Sequence, residues 1–408
     1  MTTLDHSSMH SQTKPAGRFM GGLIAAAFML SSGIALAGGA SVPTQLGAEG
    51  TAKLQDETSV AVAPPSDSKR VYVLDPGAFN MTSTVYTIDG KNSNLLSMTD
   101  AAKLPHVMVG GDGKFLAIAN TMYSRVAHGK RDDYIEVFDT QTHKPIADID
   151  IPEGRFLTGV LERMASLSTD DKHILFQQFS PSPGVGLVDL EKKEFVKMMT
   201  VPDCYHLFPA ANQNFYMHCR DGSLLQVTYD NKGNTKQKPT KVFHTEKEYL
   251  LNNPYYSNSN NRLAWPTYEG KIYQADLGAS GAEFLKPIEV FTDKEKAAKW
   301  RPGGWQTIAF HKARNELYLL ADQREKWTHK LPSRYVFVVD ATSGKRLRRI
   351  ELKHEINSIA VSQDAKPYLY AVSEEAKTLF TFDAVTGKAM GSVDELGRAP
   401  SMIFIADK

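Results

Sequence analysis

The chain has 408 residues, with 47 basic and 46 acidic side chains and a formal net charge of +1. This balance excludes the strongly basic surface typical of nucleic-acid-binding proteins, and it gives no sign of a membrane-surface partner. A chain of this length could hold two or three ordinary domains, or one repeat array that spans all of it.

The N-terminus has the pattern of an export signal. Lys14 and Arg18 precede an apolar, small-residue stretch from Met20 to Ala37, which ends in an A-x-A cleavage pattern. A membrane anchor is the alternative, but polar residues and glycines shorten the apolar core below the roughly 20 residues that a spanning helix needs. We therefore predict a signal peptide over residues 1–37 and an exported protein that is not inserted in the membrane after cleavage.

Residues 38–69 are rich in alanine, glycine, serine, threonine and proline and show no sustained period. This composition predicts a flexible N-terminal arm that precedes the folded body.

From residue 70 onward the chain repeats one pattern, a short apolar run that ends in an aspartate followed by a turn. The seven aspartates are Asp89, Asp139, Asp189, Asp230, Asp276, Asp340 and Asp383. They lie 41 to 64 residues apart, and a unit of that length that cannot bury its own apolar face is typical of a β-propeller blade. Because the positions are equivalent, we expect these carboxylates to accept backbone N–H groups in turns rather than to perform acid–base chemistry.

Counting strands predicts how the ring closes. An apolar strand at Val71–Leu74 precedes the first repeat, and another at Met402–Ala406 follows the last. An open solenoid would leave both without partners. The predicted fold is therefore an all-β, seven-bladed β-propeller over residues 70–408, closed by pairing the C-terminal strand with the N-terminal strand in the first blade.

Cys204 and Cys219 are the two cysteines of the chain, on the predicted first and second strands of the fourth blade. A hairpin between them brings their Cα atoms within bridging distance, and an oxidising compartment favours one disulfide. Two free buried thiols are the alternative. Neither residue lies in a C-x-x-C pattern, so neither a thioredoxin-like redox pair nor a c-type haem attachment is supported.

The longest step between aspartates, from Asp276 to Asp340, contains a helical candidate, Asp293–Trp300, and a cluster of tryptophans. Insertions in propellers map to loops on one face, often the face that binds a partner. Trp300, Trp305 and Trp327 are therefore either exposed at an interface or packed between blades.

No pattern for a nucleophile elbow, a P-loop, a zinc protease or an EF-hand occurs in the chain. Several histidines could still meet at the central channel of the propeller and bind a metal, although ordinary strand or loop positions are favoured. These histidines are His206, His218, His311, His329 and His354. We therefore expect no catalytic, cofactor-binding or metal-binding residue in this chain.

Five longer stretches carry a specific resemblance. They are Tyr123–Lys130, Val201–Pro209, Phe215–Ser223, Trp265–Ile272 and Trp300–Gln306. Each resembles the corresponding stretch in the heavy chains of methylamine dehydrogenases, which belong to the amine dehydrogenase heavy-subunit family. The resemblance runs essentially from Arg70 to Lys408.

This resemblance implies the heavy, non-catalytic scaffold subunit of a periplasmic enzyme with two heavy and two light chains. In that family the light chain carries the cofactor tryptophan tryptophylquinone. The enzyme oxidises methylamine to formaldehyde and ammonia, and it passes electrons to a blue-copper protein such as amicyanin. The resemblance also implies a disulfide between Cys204 and Cys219, and it implies that Phe79, in the segment Asp75–Phe79, lines the apolar channel to the quinone.

Other functions remain open from the sequence. The heavy subunit of an aromatic amine dehydrogenase would differ mainly in substrate size. A free-standing propeller enzyme would need a metal in the channel or a tryptophan docking motif in nearly every blade, and this chain has four tryptophans. A protein-binding propeller of the WD type would contain Trp-Asp dipeptides, which are absent from this sequence.

Overall fold

The computed structural model describes residues 62–77, 82–152, 154–159, 161–245 and 247–406. Within these residues the chain forms thirty β-strands and one short helix. The strands are arranged in seven antiparallel sheets. The predicted all-β, seven-bladed propeller is therefore confirmed. Phe79, the predicted signal peptide and residues 38–61 of the predicted arm lie outside the described residues.

The first four blades follow one another along the chain. Blade 1 contains β1 (Arg70–Asp75), β2 (Ser83–Asp89) and β3 (Asn94–Ala101). Blade 2 contains β4 (His106–Val109), β5 (Phe115–Arg125), β6 (His128–Asp139) and β7 (Pro145–Asp150). Blade 3 contains β8 (Ala165–Leu167), β9 (His173–Gln178), β10 (Gly184–Asp189) and β11 (Glu194–Thr200). Blade 4 contains β12 (Cys204–Ala210), β13 (Asn214–Cys219), β14 (Leu224–Tyr229) and β15 (Thr235–Pro239).

The remaining blades include two with a fifth strand. Blade 5 contains β16 (Tyr255–Tyr256), β17 (Arg262–Pro266), β18 (Lys271–Gly278), β19 (Gly281–Phe284) and β20 (Ile288–Glu289). Helix α1 (Asp293–Ala297) precedes blade 6, which contains β21 (Trp300–Pro302), β22 (Ile308–His311), β23 (Glu316–Gln323), β24 (Ser333–Asp340) and β25 (Arg346–Ile356). Blade 7 contains β26 (Ser358–Val361), β27 (Tyr368–Ser373), β28 (Thr378–Asp383) and β29 (Ala389–Val393). The last strand, β30 (Met402–Ile405), belongs to blade 1.

Strand β30 closes the ring as the innermost strand of blade 1. It pairs antiparallel with β1, from Val71 opposite Ile405 to Leu74 opposite Met402. Every residue of β1 is buried, so an unpaired edge there would leave buried backbone groups without partners. The predicted closure is therefore confirmed.

Adjacent blades pack face to face and share their apolar side chains. Between blades 6 and 7, for example, Leu320 and Val336 pack in one cluster with Leu369 and Ala371. A central strand contacts neighbouring blades on both faces. Strand β23 of blade 6 is therefore buried continuously from Glu316 to Ala321 instead of alternating between buried and exposed residues.

Six of the seven repeat aspartates accept backbone N–H groups in their turns. The Asp139 carboxylate, for instance, accepts from the nitrogens of Thr142 (2.7 Å) and Gln141 (3.1 Å). Hydrogen bonds from the backbone and then the side chain of Thr142 hold the pKa of Asp139 below its usual value. Asp276 is the exception, because its carboxylate pairs with Arg262 across the β17–β18 hairpin.

The segment before β21 is shorter as a helix than the sequence predicts. Helix α1 begins after the N-cap Thr292 and has its C-cap at Ala298. Lys299 then adopts a left-handed backbone (φ 63°), and Trp300 starts a strand instead of ending the helix. No helix in the described part of the chain is long and apolar enough to cross a membrane.

Residues 62–69 run across the propeller ahead of β1. The nitrogen of Ala63 donates to the carbonyl of Gln141 (2.9 Å), and Lys69 forms an ion pair with Asp364 (3.1 Å). These contacts connect the segment to blades 2 and 7.

The loops of the ring divide between two faces. In a four-stranded antiparallel blade, the loops after the second and fourth strands leave at one end of the strands, and the turns after the first and third strands leave at the other. Five of the long connections leave their strands at the first of these faces, namely those that join β1 to β2, β7 to β8, β15 to β16, β23 to β24 and β29 to β30. We call it the loop-rich face. The opposite face carries the aspartate turns.

Candidate partner-binding face

The segment Asp75–Phe79, which is predicted to contribute Phe79 to the lining of the substrate channel, begins where β1 reaches the loop-rich face. The Asp75 carboxylate accepts hydrogen bonds from the backbone nitrogens of Gly77 (2.9 Å), Arg398 (2.6 Å) and Ala399 (3.3 Å). A Cβ atom on Gly397 would lie 2.0 Å from the same carboxylate. This close approach explains the glycine, and it ties the start of the segment to the loop before β30.

Sequence reasoning did not identify Asp75 as a functional residue. It ends a strand and precedes Pro76-Gly77, so the strand-end aspartate pattern could have revealed a turn-capping role. Asp75 also contacts residues 394–401, which lie at the far end of the chain, and no local sequence pattern predicts these contacts.

Cys204 and Cys219 form a disulfide between the first two strands of blade 4, with their Cα atoms 4.2 Å apart. They lie opposite each other in the register of β12 and β13. A cross-link that closes a loop with a sequence separation of 15 adds about 3 kcal/mol to stability in the chain-entropy model. The bond therefore rigidifies the hairpin that borders the loop-rich face.

Three histidines are packed next to this disulfide. His244 Nδ1 lies 3.2 Å from the carbonyl of Thr245, so Nδ1 carries the proton and donates. The free lone pair on His244 Nε2 then accepts from His218 Nε2, 2.6 Å away. His206 Nε2 donates to the carbonyl of Asn252 (2.9 Å). Burial lowers the pKa of His206 and of His218 to about 3, so both are neutral at physiological pH.

The other histidines considered as metal ligands lie apart from one another. His311 bonds to the carbonyl of Asp364, His329 stacks on Tyr268, and His354 stacks on Phe380. Across the described ranges, no group of three or more histidine, cysteine, aspartate or glutamate side chains is arranged to hold a metal ion. Two of the five histidines, His206 and His218, lie in blade 4, and the other three lie in blade 6.

A cavity of about 160 Å³ lies on the axis of the ring, lined by the inner strands. The Gln306 side chain forms two hydrogen bonds to β30 in this cavity. Its Oε1 accepts from the Ile403 nitrogen (2.6 Å), and its Nε2 donates to the Ile403 carbonyl (2.9 Å). The same amide nitrogen donates to Glu162, and burial raises the pKa of that carboxyl. The Glu162 nitrogen in turn donates to Asn253 (2.8 Å). These bonds connect blades 1, 3, 5 and 6 across the axis, which is a structural role that the sequence did not reveal.

The structure separates the three tryptophans of the long insertion. Trp300 packs edge-to-face on Tyr335 and Phe337 at the rim of the core between blades 5 and 6. Trp305 packs against the apolar cluster between blades 1 and 2 and donates its indole N–H to Glu374 (2.8 Å). Trp327, by contrast, is 55% exposed. The first two therefore pack between blades, and only Trp327 of the three fits the interface interpretation.

Solved structures with low sequence identity share the fold. A functionally unknown protein from Desulfotomaculum acetoxidans superposes with a TM-score of 0.57 at 13% identity, covering 83% of this chain and 98% of that one. A dihydro-heme d1 dehydrogenase, NirN, superposes with a TM-score of 0.56 at 13% identity, covering 84% of this chain and 76% of that one. These similarities support the propeller architecture alone.

Sequence relatives are far more specific. The family model of the methylamine dehydrogenase heavy chain matches residues 67–407. The chain is 83% identical to the methylamine dehydrogenase heavy chain of Methylophilus methylotrophus, over the full length of both. It is 65% identical to the heavy chain of Methylobacillus flagellatus, over 96% of this chain and 98% of the relative. The chain therefore belongs to the methylamine dehydrogenase heavy chain family.

Proposed function

We propose that this chain is the heavy, non-catalytic scaffold subunit of a periplasmic methylamine dehydrogenase that oxidises methylamine to formaldehyde and ammonia. Membership of the family makes it a subunit of an amine dehydrogenase with a light-chain partner. The observation that carries the finer assignment is the 83% identity, without gaps in coverage, to a methylamine dehydrogenase heavy chain.

In this proposal the chemistry belongs to the light chain. The light chain carries tryptophan tryptophylquinone, two heavy and two light chains assemble, and electrons pass to a blue-copper protein such as amicyanin. The signal pattern over residues 1–37 supports export to the periplasm. The long loops gathered on one face of a rigid ring support a scaffold that presents a broad surface to a partner.

We also propose that Phe79 lines the substrate entrance. Its segment starts at Asp75, which is held by three backbone hydrogen bonds at the loop-rich face. An aromatic wall at the entrance would admit small amines and exclude larger ones by shape.

The assignment is tested by producing the chain with and without a light chain. We expect the isolated chain to show neither amine dehydrogenase activity nor quinone absorbance. Co-purification from the native host should yield a small, cysteine-rich chain that carries both. Activity in the isolated heavy chain would refute the proposal.

The same complex decides between the two amine dehydrogenase classes. We expect a higher kcat/KM for methylamine than for an aromatic amine such as phenylethylamine. The opposite order would assign the chain to an aromatic amine dehydrogenase instead.

A further inference from the structure

An exposed aromatic patch lies on the loop-rich face, where the loop between β23 and β24 meets blade 5. Trp327 and Tyr249 are each 55% exposed, and their ring centroids are 5.0 Å apart. Tyr268 lies 5.4 Å from Trp327 and stacks on His329. Leu331, 56% exposed, lies on the same loop. We call these five residues the tryptophan patch.

The loop that carries Trp327 is held from beneath by one guanidinium group. Arg324 donates to the carbonyls of Thr328 (3.0 Å), Leu331 (2.7 Å) and Pro332 (2.7 Å). A Cβ atom on Gly303 would lie 2.1 Å from the Arg324 guanidinium, so the glycine makes room for it. Three carbonyls bound to one planar group keep the loop in a single conformation before any partner arrives.

Trp327 also occupies an unfavourable backbone conformation. Its φ of 71° lies in the left-handed region, which bulky L-residues rarely adopt. The Thr328 hydroxyl donates to the Glu325 carbonyl (2.7 Å), and the Leu331 nitrogen donates to the Thr328 carbonyl (3.0 Å), which together close the turn around it. The fold therefore holds a strained tryptophan in place while leaving its indole in solvent, as expected for a residue with a binding role.

The patch has a basic border. Lys326 lies with its Nζ 5.2 Å from the centre of the Trp327 ring, and Lys330 lies 6.0 Å from that of Trp305. Neither lysine forms an ion pair with a carboxylate in the described ranges, whereas the neighbouring Glu325 is paired with Lys299. The surface that complements this patch is therefore apolar at its centre and acidic at its border.

The patch is continuous with the segment that starts at Asp75. Trp305, which lies beneath Lys330, packs in the same apolar cluster as Leu74, the residue before Asp75. A single protein that covers the predicted entrance would thus reach the patch across one half-buried tryptophan. A transient redox partner buries little surface and gains less from a pre-formed aromatic anchor than a permanent subunit does.

We propose that the tryptophan patch anchors the light chain of the enzyme, which meets it with apolar and acidic side chains. This inference rests on the proposed function and specifies where the partner binds. Trp327 is the central anchor, and the two lysines orient the light chain electrostatically.

The test measures the dissociation constant of the heavy–light complex, from dilution of the co-produced complex and from subunit exchange. We expect Trp327→Ala to weaken the complex by about 30-fold or more, as for an interface hot spot. Lys326→Glu combined with Lys330→Glu should weaken it by roughly tenfold and reduce its salt dependence. Met390→Ala, at a site 50% exposed on the outer strand of blade 7, is the matched control and should leave the constant unchanged.

Each alternative outcome is distinguishable. An unchanged dissociation constant for Trp327→Ala, in a free heavy chain that melts at the wild-type temperature, overturns the inference. A loss confined to reduction of the blue-copper acceptor, or to self-association of the isolated heavy chain, overturns it as well. If no light chain binds the wild-type chain at all, the proposed function itself fails.

Discussion

At the scale of single residues, burial and hydrogen bonding decide the charge of the histidines beside the disulfide. His206 and His218 are almost fully buried, and each uses Nε2 as a donor to a fixed acceptor. Because burial lowers the pKa of both to about 3, folding requires the neutral imidazole. The hairpin of blade 4 therefore has a built-in sensitivity to acid.

These two groups contribute to the pH dependence of stability, together with other buried histidines such as His106, whose pKa burial also lowers. An unfolded histidine takes up a proton near pH 6.5, but these two do so in the folded chain only near pH 3. Between those values the unfolded state binds more protons, so stability falls as the pH falls, by about 1.4 kcal/mol per pH unit and histidine. Urea unfolding between about pH 7 and pH 5, above the main carboxylate range, should show the slope growing towards this value as the unfolded histidines become fully protonated.

Replacing one histidine tests the assignment. His218→Gln should reduce the slope by about one histidine's share, whatever its effect on absolute stability. His128→Gln, at an exposed position on β6, is the control and should keep the wild-type slope. An unaltered slope in His218→Gln would show that other groups carry the pH dependence.

The proposed role of Phe79 is also a residue-scale prediction. Phe79→Ala should shift the ratio of kcat/KM values towards bulkier amines by about tenfold, because a shape filter of this kind is worth roughly 1–3 kcal/mol. Phe380→Ala, on the third strand of blade 7, should leave the ratio unchanged. Equal ratios in Phe79→Ala and wild type would remove Phe79 from the substrate entrance.

At the scale of elements, the ring depends on one strand, β30, being held on both edges. Its outer edge pairs with β1. On its inner edge, which faces the axial cavity, the Gln306 side chain bonds both backbone groups of Ile403 as a neighbouring strand would. A side-chain amide thus replaces a strand at the point where the chain ends meet.

Removing this amide should loosen the closure. Gln306→Leu leaves the N–H and C=O of Ile403 without their partners and should lower the free energy of unfolding by about 2 kcal/mol. Gln323→Leu, whose side chain makes one exposed bond to Ala298, is the control and should change it by less than about 0.5 kcal/mol. Equal unfolding midpoints in urea for Gln306→Leu and wild type would show that the β1 pairing suffices.

At the scale of the whole molecule, the two faces of the propeller carry different residues for a geometrical reason. The turns between third and fourth strands are short and capped by aspartates such as Asp139 and Asp340. The connections at the other face vary widely in length, from the single residue Asn357 between β25 and β26 to residues 240–254 between β15 and β16. The disulfide and the tryptophan patch lie at this loop-rich face, because Cys204 starts a first strand, Cys219 ends a second strand and the Trp327 loop follows the second of the four paired strands β21, β23, β24 and β25 of blade 6.

The candidate site was only partly predictable from sequence. The cysteine pair could be placed because both residues lie on one hairpin, so their separation depends on local geometry. The sequence could not show which of the three tryptophans is exposed and which are packed between blades. All three lie in one insertion, and they differ only in the residues that pack against them. The roles of Asp75 and Arg324 depend on loops that the strand pattern does not describe.

By itself, the sequence determined the number of blades, the aspartate turns and the pairing of the terminal strands. These features follow from short-range periodicity and from the requirement that every strand edge find a partner. The tertiary structure alone decided which tryptophan is exposed, which histidines are hydrogen-bonded to each other and which amide holds β30. Those outcomes depend on contacts between side chains from distant parts of the chain, and local periodicity carries no information about such contacts.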